Sequence, residues 1–529
     1  MGTAGKHRSL AAVGMAVLLI AAVLCSCVSQ VRAVVPQDGY TDAAQTVDAG
    51  IHEYDRWKQL WEQEKEDRTS IAITPGRDES ELNFSWQSPA SGGTPFLKIG
   101  VGKSMEDGQV HAAMQSDPSE ETRGGKKVRY CTNKVTAIGL EKNTTYYYSY
   151  QVGTSWTAPR PVAIRNPDCY SFLFVGDPQI GASNRAKKST DPAEYRKGQD
   201  AACANDSFNW NVTLRQAIQK SRGKAAFLIS AGDQVQSGDK IEYSGFLAPE
   251  WMKTLPVAPT VGNHDIRTPG FSCHFNIPNE SRLGSCGGAG DYWFRYGPVL
   301  YLNLNVQGNS NEEHRRFLRE TCAENPDAKW KVVILHQDIY GAGEHSNEPK
   351  VTGLRYDLIP TFEACGVSLV LSGHDHTYAR SEVLRGGRKK VTYSQEAYEK
   401  AKERDEQTSS DRSRFVAAGR IRDTSRNPED LAYLQYLNAV MDPEAIFPSC
   451  VGKTTLRNPD GIVYLTGSSA SGSKYYDLEP RRQMYLAARW QQDVPTYTVI
   501  QVTPASLRIT TYRTDTDKPI DRTLTILKS

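Results

Sequence analysis

Apolar and polar positions follow two regimes along this chain. From Ile71 to Ile164 single apolar residues alternate with polar ones, as in Leu82, Phe84 and Trp86 and again in Tyr146, Tyr148 and Tyr150, with turn-rich segments such as SPASGG and EDGQ between them. Period-two alternation of this kind predicts half-buried strands and a small all-β sandwich. Further on, the apolar residues come in unbroken runs: YSFLFVGDPQ (170–179), AAFLISAGDQ (225–234), LPVAPTVGNHD (255–265), KVVILHQD (331–338) and VSLVLSGHDH (367–376). Each is short, rich in β-branched and aromatic residues and bounded by Gly or Pro. They predict buried strands, and the intervening segments are long enough for crossover helices, so an α/β domain is expected from about residue 168.

Every one of the five runs stops at a polar cluster. The carboxyl ends of strands are where open α/β sheets build sites, so the clusters are expected to gather at one sheet edge. Asp177, Asp233, Asn263, His336, His374 and His376 supply carboxylate, amide and imidazole donors without a thiolate, a set suited to Zn, Mn or Fe. Six such donors exceed the need of one ion; two ions about 3.5–4 Å apart and sharing a carboxylate would use them all. His374 and His376 stand two residues apart, so in extended backbone they share a face. Packing alone is a poor explanation, because buried strands seldom end repeatedly in charged groups. A metal pair would acidify a water and neutralise phosphoryl oxygens, and His264, beside Asn263, is placed to protonate a leaving group. No Walker loop, Gly-x-Ser-x-Gly elbow or His-Glu-x-x-His helix occurs, which removes support for nucleotide-driven, serine-hydrolase and zinc-protease chemistry.

The ordered set GD, GD, GNHD, H and GHDH resembles the calcineurin-like metallophosphoesterase superfamily. The chain is most similar to its bacterial purple-acid-phosphatase-like branch with an N-terminal fibronectin-like domain, over residues 66–525. The resemblance implies a four-layer αββα sandwich at 168–529 behind a fibronectin-type β sandwich at 66–167. It also implies a division of labour: Asp177 and His376 on a first metal, Asn263, His336 and His374 on a second, and Asp233 bridging. His264 would be the non-ligand catalytic histidine and Asp265 would orient it; Asp265 could equally cap a following turn. The substrate implied is a phosphorylated small molecule.

Two departures stand out. Many members carry Asp-x-His in the first motif, whereas this chain has Asp177-Pro178-Gln179, so Gln179 offers an amide oxygen or is simply a hydrogen-bonded amide. True purple acid phosphatases place Tyr three residues after the second-motif Asp, and here that position is Gln236. Without a tyrosinate, no visible iron charge-transfer colour is expected. Arg380, shortly after GHDH, is a candidate phosphate contact or one half of a surface salt bridge. His274, His314 and His345 read as surface or loop histidines, with His345 able to lean over the site.

Length, charge and cysteines add bounds. A chain of 529 residues with a net charge of +2 accommodates two or more domains and has no electrostatic footprint for nucleic acid. Residues 1–33, with a basic start, the uncharged run Leu10–Leu24 and Val31-Arg32-Ala33, read as an export signal, and Leu24-Cys25-Ser26-Cys27 resembles a lipobox that would attach the chain to a membrane through lipidated Cys27. Cleavage at Ala33 leaves eight cysteines, among which Cys273 and Cys286 are the expected pair. Residues 34–65 read as a polar lead-in with a helix near Tyr54–Glu66. The charged tract at 385–458, including EAYEKAKERDEQ, reads either as a lid over the site or as a surface excursion. The function expected is an exported two-metal phosphomonoesterase. A phosphodiesterase on the same centre is the enzymatic alternative, and a cell-surface binding protein with a vestigial metal site is the alternative of another class.

Overall fold

The computed structural model describes residues 40–529 apart from 47–49, 91–92, 124–125, 309, 344, 406–414 and 418. The export segment, with Cys27, lies outside the described residues. Between Ala72 and Ile164 two five-stranded sheets face each other. The alternation seen in the sequence is the cause. Phe84 and Trp86 of the Leu82–Pro89 strand meet Tyr148 and Tyr150 of the Thr144–Val152 strand as ring pairs 5.2 and 5.4 Å apart, closing a core of its own.

The α/β domain holds two seven-stranded sheets. Tyr170–Val175 lies parallel to Ala225–Ser230, which is followed at the edge by Val257–Pro259. In the second sheet Val299–Leu304, Trp330–Leu335, Leu369–Ser372 and Val463–Thr466 run parallel. Successive side chains of a strand point to opposite faces. Accordingly Tyr301, Val332, Ile334, Leu369 and Leu371 enter the core between the sheets with Phe172 and Phe174. Their neighbours Leu300, Leu302, Val333, Leu335 and Val370 face the outer helices Asn311–Glu324 and Pro349–Ala364. The helix Pro192–Lys220 covers the first sheet; it starts where the Asp191 carboxylate accepts the Ala193 N–H and Pro192 takes the first turn. The result is the four-layer αββα sandwich. One expectation changes: the five polar clusters arise from the ends of two facing sheets, three from the first and two from the second, rather than from one sheet edge.

The tract 385–458 contributes helices Gln395–Asp405 and Pro428–Ala439 around a small tyrosine-rich core. It packs on the outer side of Pro349–Ala364, where the Tyr436 hydroxyl meets Thr352 at 2.8 Å and donates to the Asn347 carbonyl at 2.7 Å. All eight cysteines from Cys131 to Cys450 are free. Cys273 and Cys286 do not pair: Cys273 belongs to the turn of helix Gly270–His274, and Cys286 closes a turn of its own onto Ala289.

Candidate metal centre

The six predicted donors converge. His336 follows a strand buried at all positions but Lys331; its Nδ1–H donates to the Ala231 carbonyl at 2.9 Å, which turns Nε2 toward the other donors. Around that nitrogen stand Asn263 Oδ1 at 3.1 Å, His374 Nδ1 at 3.1 Å and Asp233 Oδ2 at 3.4 Å. On the other side His376 Nδ1–H donates to the Lys474 carbonyl at 2.8 Å, and its Nε2 lies 3.5 Å from Asp177 Oδ1. Donors each about 2.1 Å from one ion are about 3.0–3.4 Å from one another, so this spacing is that of ligand shells.

The backbone is shaped for this approach. Asp177, Gln179, Asp233, His374 and His376 all have positive φ, between 37° and 72°. Non-glycine residues adopt that region at a cost of about 1 kcal/mol or more each. The motif glycines have a matching reason. A Cβ on Gly262 would sit 2.1 Å from Asp233 Oδ1, and one on Gly373 would sit 2.5 Å from Asp177 Oδ2.

Whether the residues fit a metal can be judged from what they lack. Asp177 Oδ1, Gln179 Oε1 and His374 Nε2 are buried with no hydrogen-bond partner, a costly state for polar atoms unless a further group satisfies them. Asp177, Asp233 and His336 bring donor atoms within 4.8 Å of one another. Burial drives the Asp177 carboxyl well above its usual range against the attraction of His336, and Asp233 adds repulsion. Burial also works against charge on His336, but Asp233 and Asp177 outweigh it and hold the imidazolium up to about 9. Asp233 is pulled below the carboxylate range by His336 and His264 in spite of its burial. His374 and His376 are kept neutral by burial, His376 down to about 3. Two carboxylates and three imidazoles that strain each other's ionisation are what a cation would relieve. The donor set fits a pair of first-row metals.

Other expectations are redistributed. His264 borders the cluster, its backbone N–H donating to Asp233 Oδ1 at 2.8 Å, and burial lowers its pKa. Its orienting partner is the Gln236 carbonyl, which Nδ1 meets. Asp265 does not orient His264; its carboxylate accepts the N–H groups of Gln234 at 3.1 Å and Gly262 at 2.9 Å, pinning the second and third motifs together. Arg380 is buried on the Tyr378–Ser381 strand and paired with Asp521 at 2.6 Å, so it is neither a surface bridge nor a wall of the site. Gln179 is buried and donates to the Gln236 side chain at 3.0 Å, its Oε1 left over for another partner. His345 does lean in, its ring 4.5 Å from that of His374. His314 is not at the surface; it is fully buried against Asp291 at 2.8 Å. His274 stacks on Tyr243 at 4.1 Å.

A cavity of about 660 Å³ opens over the cluster, walled by Gln307, Asn311, Gln337, His345, Lys350, Lys474 and Tyr476 among others. No described residue of the 385–458 tract lines it; the described part of the tract braces the wall from outside. Buried Arg355 donates to the carbonyls of Ser346 at 3.1 Å and Val440 at 2.9 Å, tying the His345 loop to the tract. Sequence reading did not single out Lys474 and Tyr476, which sit in a Ser- and Gly-rich segment, GIVYLTGSSASGSKYYDL, that resembles this branch of the family only as a whole.

Comparison with known proteins places the chain. Residues 170–378 match the calcineurin-like phosphoesterase family, an interval that contains all six donors. Residues 69–162 match the purple acid phosphatase N-terminal domain. The chain therefore carries a calcineurin-like phosphoesterase domain behind a purple acid phosphatase N-terminal domain. Among relatives, an uncharacterized protein of Mycobacterium tuberculosis is 25% identical over 346 residues, 59% of this chain and 61% of its own length. The chain thus spans about three fifths of that relative. The purple acid phosphatase of Glycine max is 21% identical over 349 residues, covering 60% of this chain and 68% of the relative. A solved purple acid phosphatase from yellow lupin (Lupinus luteus) seeds shares the fold, with a TM-score of 0.55 at 12% identity over 87% of this chain and 75% of that one.

Proposed function

We propose that this chain is an exported, two-metal phosphoesterase acting on phosphate monoesters. The observation that carries the reading is the convergence of six donors from two sheets onto one buried point where three polar atoms have no partner. In this reading Asp177 and His376 hold one ion, Asn263, His336 and His374 the other, Asp233 lies between them, and Gln179 Oε1 stands beside the first. The ions are Fe, Mn or Zn by donor chemistry. When bound, such a pair supplies Lewis-acid polarisation of the phosphoryl group and a nucleophile of lowered pKa.

The chain's own residues do the remainder. The Gln236 carbonyl holds the His264 ring with Nε2 toward the cluster, 3.9 Å from Asp233 Oδ2, where its imidazolium form can give the Nε2 proton to a departing alkoxide and keep the Nδ1–H on the carbonyl. Lys474 and Tyr476, with Gln307, Asn311 and Gln337, give the space that a substrate would fill a polar wall. The width of the cavity favours a second reading, a phosphodiester substrate, because it takes in more than a phosphate group. Support for export rests on the basic and apolar N-terminal segment.

The test is hydrolysis of a para-nitrophenyl monoester and the matching diester with added Mn or Zn, with chelator, and by Asn263→Ala. Chelator-sensitive monoester turnover lost in the variant is expected. Faster diester turnover would favour the second reading, and activity indifferent to chelator would reject the metal centre. If His264 is the acid, His264→Ala keeps its metals and loses most on esters with poor leaving groups; equal losses on good and poor leaving groups would end that role.

A further inference from the structure

The stretch before the first family match is more than a lead-in. Its helix Gly50–Glu64 docks on the α/β domain through Trp61, whose indole N–H donates to Asp200 at 2.7 Å, and Trp57, which donates to Ser207 at 3.2 Å. Ahead of it, residues 40–46 cross the middle of the Pro192–Lys220 helix at Asn205 and Asn209 and reach the turn at Gly472. The Thr41 carbonyl accepts from the side-chain amides of Asn205 at 3.1 Å and Asn209 at 3.0 Å, and Ala43 N–H donates to Asn205 at 2.8 Å.

Thr41 then grips the turn that forms the cavity wall. Its N–H donates to the Gly472 carbonyl at 2.7 Å, and its hydroxyl meets the Tyr475 hydroxyl at 2.7 Å and donates to the Asp493 carbonyl at 3.3 Å. The approach is so close that only glycine fits opposite: Gly472 has φ +68°, and a Cβ there would lie 2.4 Å from Thr41 Oγ1. Between Gly472 and Tyr475 sits Lys474, whose carbonyl accepts the Nδ1–H of His376 at 2.8 Å and so directs Nε2 toward Asp177. Gln491 completes the brace by donating to both the His376 and the Tyr476 carbonyls at 2.8 Å.

We propose that Thr41 is a positioning residue for the metal site: the N-terminal strap holds the Gly472–Tyr476 turn in the register at which the Lys474 carbonyl fixes the imidazole of His376. The proposal rests on the metal-centre reading. It also gives the chain a link from its N-terminal end to its chemistry, since residues 40–46 lie outside both family matches. Partners of a ligating imidazole are worth about 10–100-fold in metal affinity.

The experiment compares the full chain with Thr41→Val, Thr41→Ser and a form cut back to start at residue 47. Amide exchange of 470–477 is measured in the metal-free proteins, and Mn and Zn affinities are measured by titration. The shortened form is expected to lose protection in that turn and to bind the weaker-held metal about 10–100-fold less tightly. Turnover should recover at saturating metal. Thr41→Val should follow in the same direction and Thr41→Ser should match the parent. Wild-type turn protection and metal affinity in both the shortened form and Thr41→Val would overturn the proposal. Should the parent itself bind no metal, the metal-centre reading fails, and unchanged exchange of the turn would separately overturn the contact.

Discussion

The β sandwich and the strand-end turns of the α/β domain obey opposite rules. In the sandwich the apolar faces close completely: Trp86 is buried, donates its indole N–H to the Gln151 carbonyl at 2.9 Å and packs on Tyr150. Its positive-φ residues outside glycine, among those described, are Met105 and Asn143, neither of them in the core strands. At the strand ends, five such residues crowd one point, with carboxylates and imidazoles working against each other's charge. Local rules hold where the molecule only has to be stable and fail together where it has chemistry to do.

The sharpest break of this contrast is at the cluster. Asp233→Asn should lower turnover about a thousandfold, in the range seen when one preorganised group is removed; intact turnover would remove Asp233 from the centre. Trp86→Ala is its mirror. It should cost about 3–5 kcal/mol of stability in chemical denaturation, with kcat of the folded fraction unchanged, and a fall in kcat would show that the sandwich has a share in catalysis. Arg380→Ala separates the two regions within the α/β domain. Its buried pairing with Asp521 predicts a loss of about 3 kcal/mol without a change in KM, whereas a raised KM would restore the phosphate-contact expectation.

The smallest effect lies at the seam of the two regions. His274 neighbours Cys273, whose carbonyl accepts the Ser85 hydroxyl of the sandwich at 3.4 Å. Burial holds its imidazole down at about 4, against 6.5 when free. The folded state therefore refuses a proton that the unfolded chain accepts. Stability is untouched above pH 6.5 and declines as pH falls from there toward 4. His274→Gln should flatten that decline by about 1 kcal/mol, the ring being partly open to solvent. Identical pH profiles for the two proteins would contradict it.

Much of this was legible in the chain because each ligand directly follows an apolar run: period and punctuation locate Asp177, Asp233, Asn263, His336, His374 and His376 together. The two-sheet arrangement was less so, since five runs of similar texture do not say which sheet each joins. What stayed hidden depends on distant partners. Arg380 finds Asp521 across 141 positions, and Asp265 serves backbone N–H groups, which no residue pattern announces. His264 is steered by a carbonyl, a group every residue has. Lys474, Tyr476 and Thr41 gain their places only when the turn at 472–476 closes over His376.

The most direct measurement of the central claim is metal stoichiometry with thermal stability: the chelated chain titrated with Mn or Zn, beside Asp233→Asn. Two ions per chain are expected, with a rise in Tm as they bind, equivalent to about 2.7 kcal/mol at a hundred times Kd, and loss of both in the variant. Fewer than one ion per chain with no change in Tm would contradict it, leaving the strained cluster as a vestige.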